Sequence, residues 1–359
     1  MATLTIHSKR IIENIRKLNN YLEDNNIQWT LITKMLNGYK PILEKLLFDG
    51  ELKRLHSVGD ARISNLQAIK EIAPDIVTMY IKPPAFNQVK NVIKYADISL
   101  NSNIQTLEKL NEEAGKAGKI HRVVVMIEMG ELREGILREN IIKFYSRAFD
   151  LKNIKIIGLG TNLGCMYGVE PTYDKLIQLS LYKQLIESMF GKKMELVSGG
   201  SSITLPLISR KKVPKEVNHF RIGETAFLGV SPLNNKKFKN LSTSAFDFSG
   251  EILEFEKKGN VPDGNIGDAA IGHTADIDDQ DYRESWRCIV DFGEIDVDVN
   301  NLLLKDKKLN FVGTTSDMTV FDMMEESKNY RVGDKVHFQP NYMAIARLSN
   351  SKYMTKIVH

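Results

Sequence analysis

Short apolar segments alternating with amphipathic ones constrain this chain more than any single residue does. Strand candidates recur at residues 29–33, 55–58, 76–80, 97–100, 122–128, 154–159, 195–197 and 219–221, eight in all. Helical stretches at 104–117, 141–149 and 173–190 separate several of them. Strands that are apolar without clean alternation, each followed by a helix, mark parallel βα units, whose sheet is buried on both faces. Eight such units predict a closed (β/α)8 TIM barrel, with a doubly wound open sheet as the structural alternative. A helix with Ile11, Ile12, Ile15, Leu18 and Leu22 at helical spacing precedes the first strand, and Ser8 stands where a cap is needed.

The texture changes after Gly229. Residues 231–244, with Asn234, Asn235, Lys236, Lys237 and Lys239, read as a linker. Beyond it the pattern is β-like: Phe246, Phe248, Ile252 and Phe255, then 286–292, 309–312, 318–321 and 336–338. Pro262-Asp263-Gly264 and Gly333-Asp334 supply turns between them. The expected organisation is a barrel over 1–235 and a mostly β C-terminal domain over 236–359. The 49 Lys and Arg against 45 Asp and Glu give a net charge of +4. That is too weak a bias for a nucleic acid or membrane-surface partner. No apolar run approaches a membrane span, and the first ten residues lack the apolar core of a secretory signal. Two cysteines, Cys165 and Cys288, make neither a disulfide framework nor a metal site. A reducing, cytoplasmic compartment and no metal are expected.

In such a barrel the chemistry collects at the C-terminal ends of the strands. Lys34 follows the first strand, Ser198-Gly199-Gly200-Ser201-Ser202 the seventh, and Arg221-Ile222-Gly223-Glu224 the eighth. Gly-Gly-Ser-Ser at a strand-to-helix junction offers free N–H groups and hydroxyls, a recipe for holding phosphate. A lysine at a barrel strand end is costly to bury unless neutralised, paired or covalently bound. With two interior-facing arginines, Arg133 and Arg221, the combination points to a phosphorylated carbonyl cofactor held as a Schiff base. That cofactor is pyridoxal 5'-phosphate.

These residues resemble a family: the fold type III pyridoxal phosphate-dependent amino-acid racemases, the alanine/ornithine racemase group. Thr33-Lys34-Met35-Leu36-Asn37-Gly38-Tyr39 resembles the racemase lysine motif, implying Lys34 as the Schiff-base lysine and Tyr39 as a phosphate contact. The Lys-to-Tyr spacing is one residue longer than in typical alanine racemases. Met129-Gly130-Glu131-Leu132-Arg133-Glu134-Gly135 is similar to the segment whose arginine meets the cofactor's phenolic oxygen, which implies that role for Arg133. Gly160-Thr161-Asn162-Leu163 stands where alanine racemases carry Thr-His-Phe, so Asn162 would lie against the pyridine ring; this form is closer to ornithine racemases. The implied cofactor-binding set also contains Gly200, Ser201, Ser202, Ile222, Gly223 and Tyr342, with Arg221 facing the pyridine nitrogen. Thr315-Ser316-Asp317-Met318 resembles the family's substrate-carboxylate loop.

Two departures accompany the resemblance. Alanine racemases often carry a modified lysine supporting the first arginine, where this chain has Met126. The stretch 264–273, matching the family's second-base region, contains no tyrosine. Asp268 is the candidate in its stead, with His273 and Tyr282 left open, so the catalytic set is Lys34, Arg133, Asp268 and Asp317. The resemblance implies a two-base racemase, expected to act on ornithine or another basic amino acid. Glu131, Glu134, Glu224 or Asp317 would receive the substrate's side-chain ammonium. It also implies a homodimer with active sites shared between subunits. The alternatives are an alanine racemase, a decarboxylase of the same fold type, or a pyridoxal phosphate homeostasis protein. The order Arg221-Ile222-Gly223-Glu224 runs against the decarboxylases' Glu-x-Gly-Arg, and homeostasis proteins are single-domain.

Overall fold

The computed structural model describes residues 1–267, 272–274, 283–323 and 330–359. Contacts divide the chain into two compact units, Lys9–Thr243 on one hand and Met1–Ser8 with Ser244–His359 on the other. A short strand, β1 (Thr3–Ile6), precedes helix α1 (Ser8–Glu23). Next come β2 (Gln28–Ile32), α2 (Lys40–Leu47), β3 (Ser57–Asp60), α3 (Ile63–Ile72), β4 (Thr78–Tyr80) and α4 (Val89–Tyr95). They are followed by β5 (Ile98–Asn101), α5 (Ile104–Lys116), β6 (His121–Met126), α6 (Ile141–Phe149), β7 (Ile154–Gly160) and α7 (Tyr173–Phe190). The unit ends with β8 (Leu196–Ser201), α8 (Leu205–Ser209), β9 (His219–Ile222), α9 (Glu224–Leu228) and the small hairpin of β10 (Val230–Ser231) and β11 (Lys236–Lys237).

Strands β2 to β9 pair in parallel, each with the next, and β9 closes onto β2 with Arg221 opposite Thr30. This is the (β/α)8 barrel that the alternation predicts. Closure removes both sheet edges, and burial on both faces explains the apolar runs: Val123, Val124 and Val125 of β6 have no exposure. A core cluster of Met79, Ile98, Leu100, Val124, Met126, Ile157 and Leu196 unites β4 to β8.

Four strands differ from expectation by two residues or more: the third begins at Thr78 rather than residue 76, the fifth ends at Met126 rather than residue 128, and the second and seventh differ as follows. The second barrel strand begins at Ser57 rather than residue 55, because Leu55 still closes a 3-10 turn, Gly50–Arg54. It also runs on to the buried Asp60. The seventh continues through Gly199, Gly200 and Ser201, residues that read as a loop. Here the missing side chain permits the strand, since a Cβ on Gly200 would stand 2.1 Å from the Phe220 ring on β9.

The second unit holds β12 (Phe246–Gly259), β13 (Glu284–Val290), β14 (Leu302–Leu304), β15 (Asn310–Thr314), β16 (Thr319–Asp322), β17 (Lys335–Pro340), α10 (Tyr342–Asn350) and β18 (Thr355–Val358). Its sheet runs in the order β14-β17-β12-β13-β16-β15. The start of β12 pairs with both β1 and β17, and β1 pairs in turn with β18. Phe248, Phe292 and Phe338 pack mutually, with ring centroids 5.2, 5.3 and 5.8 Å apart. The division expected at 235/236 therefore shifts to Ser244, and the first eight residues join the β unit because β1 completes its sheet. The expected linker is not open chain either, since it carries β11 and the buried Phe238 and Leu241.

Candidate active site at the C-terminal ends of the barrel strands

The exit of β2 presents Lys34. The strand ends at Ile32, and Thr33 leads into a 3-10 turn, Lys34–Leu36, whose Met35 and Leu36 are buried. Lys34 itself is exposed. The interior lysine expected from the sequence is thus, in the single chain, an exposed lysine beside two buried neighbours. Tyr39, partly buried, takes the N-cap position of α2.

Behind the turn, the Thr33 hydroxyl donates to Asp60 Oδ2 at 3.0 Å. The Asn65 amide and the Arg62 N–H donate to Asp60 Oδ1 at 3.0 and 2.9 Å. Asp60 is fully buried, and that burial pushes its carboxyl above the ordinary carboxylate range despite these donors. Burial, with the Asp60 charge adding to it, pushes the phenol of Tyr80 at the end of β4 up to about 12. Neither residue was expected at the site. The available signal was a polar side chain ending a short apolar strand.

Two carboxylates organise the loop after β6. Glu128 accepts from the backbone N–H groups of Gly130, Leu132 and Arg133. Glu131 is 1% exposed. It accepts from the N–H groups of Gly164, Cys165, Met166, Tyr167 and Val169 at 2.7–3.2 Å. Burial works to raise its carboxyl pKa, but the N–H groups of Cys165, Tyr167, Val169 and Met166 outweigh it and hold the pKa below the ordinary value. Glu131 is therefore a tie between the β6 and β7 loops, not a receptor for a substrate ammonium.

Arg133, carried by the same loop, pairs with Glu134 and meets Cys165 Sγ. The Asn162 side-chain oxygen, in the amide orientation that satisfies both partners, accepts from both of its terminal nitrogens at 3.0 Å. The bond to Glu134 raises the Arg133 pKa further. Met126 lies in the barrel core without exposure. The residues that hold Arg133 are Glu134, Asn162 and Cys165.

Arg221, on β9, is 8% exposed. Its Nη1 donates to the Ser198 carbonyl at 2.8 Å and to the Ser198 hydroxyl, and its Nη2 to the Thr161 carbonyl at 2.6 Å. Burial lowers its pKa to about 10, with Glu134 opposing and Arg133 adding to the fall, so it stays charged at neutral pH. The Nε hydrogen and one Nη2 hydrogen make no hydrogen bond among the described residues. Thr161 Oγ1 and Asn101 Oδ1, at the ends of β7 and β5, are likewise buried without partners among those residues.

Strand register brings the rest together. Ser201 lies opposite Arg221, and Ile222 opposite Leu31. The Ser202 hydroxyl accepts from the Thr225 N–H at 3.2 Å, joining the end of β8 to α9. Gly223 caps α9 so close to β2 that a Cβ there would stand 2.9 Å from the Ile32 carbonyl. Glu224 follows, its carboxyl pushed up by burial while the Lys34 charge pulls it down. Lys34, Ser201, Ser202, Arg221, Ile222, Gly223 and Glu224 thus occupy adjoining strand ends.

The remaining expected residues belong to the β unit. Asp317 is exposed in the turn between β15 and β16, where Thr315 and Ser316 hydroxyls donate to its carboxylate at 3.2 and 3.1 Å. Tyr342 opens α10 after the cap Asn341. His273 is exposed, with its Nε2 4.0 Å from Glu294. Asp268 and Tyr282 lie outside the described residues.

Residues 6–232 match the family described as alanine racemase, N-terminal domain. The chain is 30% identical over 358 residues to the ornithine racemase of Acetoanaerobium sticklandii, covering 98% of both. It is 28% identical over 354 residues to the lysine racemase of Thermotoga maritima, covering 99% of this chain and 97% of that one. An alanine racemase structure from Bartonella henselae with covalently bound pyridoxal phosphate superposes with a TM-score of 0.75 at 16% identity, covering 100% of this chain and 99% of that one. That last likeness is one of fold. On the family match and the full-length relation together, the chain belongs to the alanine racemase family of amino-acid racemases.

Proposed function

We propose that the protein is a pyridoxal phosphate-dependent racemase of a basic amino acid, moving the α-proton between the two faces of ornithine or lysine. The observation that carries this reading is the end-to-end relation to an ornithine and a lysine racemase. The donor set at the strand ends fits the cofactor. Among the described residues Arg221 has unused hydrogens and Thr161 Oγ1 is buried without a partner, and Ser201, Ser202 and Gly223 gather small groups and N–H donors at one point.

Lys34 would hold the cofactor's carbonyl carbon, Arg133 its phenolic oxygen and Arg221 its ring nitrogen, with Asn162 beside the ring. Gly200, Ser201, Ser202, Ile222 and Gly223 would hold the phosphate, joined by Tyr39 and by Tyr342. When bound, pyridoxal phosphate supplies an electron-withdrawing ring that acidifies the α-hydrogen of an attached amino acid. Lys34 Nζ then takes or returns the α-proton on one face, and Asp268 is the proposed acid or base on the other. Arg221 carries a charge that disfavours a second positive charge on the ring nitrogen, which weakens the electron sink and limits side reactions. The 315–318 turn with Asp317 would border the substrate. Since Glu131 and Glu134 are engaged by backbone and by Arg133, Glu224 and Asp317 remain the candidates for the side-chain ammonium.

A homodimer with shared sites is proposed with this chemistry. So is a cytoplasmic location, supported by two free cysteines. No helix among the described residues is long and apolar enough to cross a membrane. The test is a panel of L-amino acids followed by chiral chromatography, with borohydride trapping of the cofactor adduct. D-ornithine or D-lysine and an adduct mapped to Lys34 are expected. Faster turnover of alanine would overturn the substrate class, and protein that takes up no cofactor would overturn the chemistry.

A further inference from the structure

The barrel interior carries a row of polar side chains that the proposed reaction does not use. Thr30, Ser57, Ser198 and His219 are all at most 1% exposed. Strand register aligns them, with Ser198 opposite His219, Arg221 opposite Thr30, and Thr30 opposite Ser57. They form one hydrogen-bonded chain. From the guanidinium of Arg221 it passes to Ser198 Oγ, then to His219 Nδ1 at 2.8 Å, and from His219 Nε2 to Thr30 Oγ1 at 2.9 Å. It continues to Ser57 Oγ at 2.7 Å and ends at Nδ1 of the partly buried His56 at 3.2 Å. The rings of His56 and His219 also pack edge to face, 4.9 Å apart.

One fact sets the direction of this chain: a guanidinium donates and never accepts. Ser198 Oγ therefore accepts from Arg221, and its own hydrogen must go elsewhere. The acceptor within reach is His219 Nδ1, so the ring's proton sits on Nε2 and is donated to Thr30. The opposite tautomer would point a hydrogen at Ser198 and leave the serine hydrogen without an acceptor among the described residues, a loss that burial makes expensive. Thr30 in turn has two acceptors, Ser57 Oγ at 2.7 Å and the Met79 thioether at 3.8 Å. The hydroxyl is the nearer and stronger, so the Ser57 hydrogen passes on to His56.

We propose that His219 is a positioning residue for Arg221: as a neutral ring with its proton on Nε2, it locks the Ser198 hydroxyl as an acceptor and so fixes where the remaining Arg221 hydrogens point. The inference rests on the reading that those hydrogens meet the cofactor's ring nitrogen. A protonated ring would donate from both nitrogens, breaking the chain at Ser198 and setting a second charge beside the guanidinium. Burial, with the charges of His56 and Arg221 acting in the same direction, holds the His219 pKa well below its ordinary value.

The first test is made on cofactor-free protein: nitrogen NMR of histidine-labelled wild type, with the His219 signals assigned by loss in His219→Gln. A bare Nδ1 and a protonated Nε2 at neutral pH are expected; a proton on Nδ1, or on both, overturns the proposal. The second compares His219→Leu, which removes both contacts, with His219→Gln, which keeps one donor and one acceptor. The expected result for His219→Leu is a kcat at least about tenfold lower with KM little changed, and a displaced absorption band of the bound cofactor. His219→Gln should recover most of both. Wild-type kcat and an unshifted band in His219→Leu overturn the positioning role. If His219→Leu does not fold, Ser198→Ala gives the same comparison. Wild type that takes up no cofactor overturns the underlying reading instead, and the nitrogen spectrum tells the two failures apart.

Discussion

At the scale of single residues, the site is a contrast between one exposed amine and one buried guanidinium on adjoining strands. Lys34 is exposed at the end of β2, whereas Arg221 is buried on β9 with three hydrogen bonds fixing it. On the proposed role of Lys34 as covalent anchor and base, Lys34→Ala removes both, so racemisation should fall by more than the roughly 10²- to 10⁴-fold that one acid-base group supplies. Chiral chromatography of the product reads this directly. Arg221→Glu should hand the ring nitrogen a partner that favours its protonation. The expected outcome is slower racemisation together with more α-keto acid released per turnover, and unchanged keto acid would count against the assigned role. The placement of Lys34, Arg133 and Arg221 at or near strand exits was legible in the sequence because each sits in a short motif there. Asp60 and Tyr80 were not, because their importance lies in burial and in their buried partners.

At the scale of elements, loops are tied by carboxylates that looked like substrate receptors. Glu131 is the example: five backbone N–H groups of the β7 loop converge on it. Glu131→Gln keeps the shape but removes the charge those donors meet, and should cost about 1–3 kcal/mol in chemical denaturation. Proteolysis should then begin within residues 164–169. The sequence predicted 141–149 and 173–190 as helices with the observed ends; the first buries one apolar face, whereas the second also leaves Leu181, Leu185 and Met189 exposed. The same reading missed the Gly199–Ser201 part of β8, where glycine reads as loop but serves the packing of Phe220.

The strands also set a pH dependence. His121 at the start of β6 is buried, bonded to Ser99 at 2.8 Å, and its pKa is lowered from 6.5 to about 4, by burial first and by Arg122 and Lys119, against Asp97. The unfolded chain binds a proton there that the folded one refuses. Stability from this group is therefore full above about pH 6.5 and is lost as pH falls towards 4, by about 3 kcal/mol in all. Denaturation midpoints across that window should fall with pH in wild type and fall less in His121→Gln.

At the scale of the whole molecule, the question is whether one chain makes a site alone. The barrel unit holds Lys34, Arg133 and Arg221, while Asp317 and Tyr342 belong to the β unit. The first eight residues are woven into that β unit through β1, so cutting the chain before Ser244 would strip its sheet of a strand. Separate expression of the halves is thus a poor test, and complementation between full-length chains is a better one. Lys34→Ala and Asp317→Ala should each be inactive alone. If each site takes its barrel from one subunit and its β unit from the other, a heterodimer of the two variants has one doubly damaged site and one intact site. Random pairing after co-expression makes half the dimers mixed, so activity should return to about a quarter of wild type. If each chain completes its own site, no combination contains an intact one and activity stays at zero. Dilution that removes activity and dimer mass together would agree with the first outcome. Full activity in the monomer would exclude it.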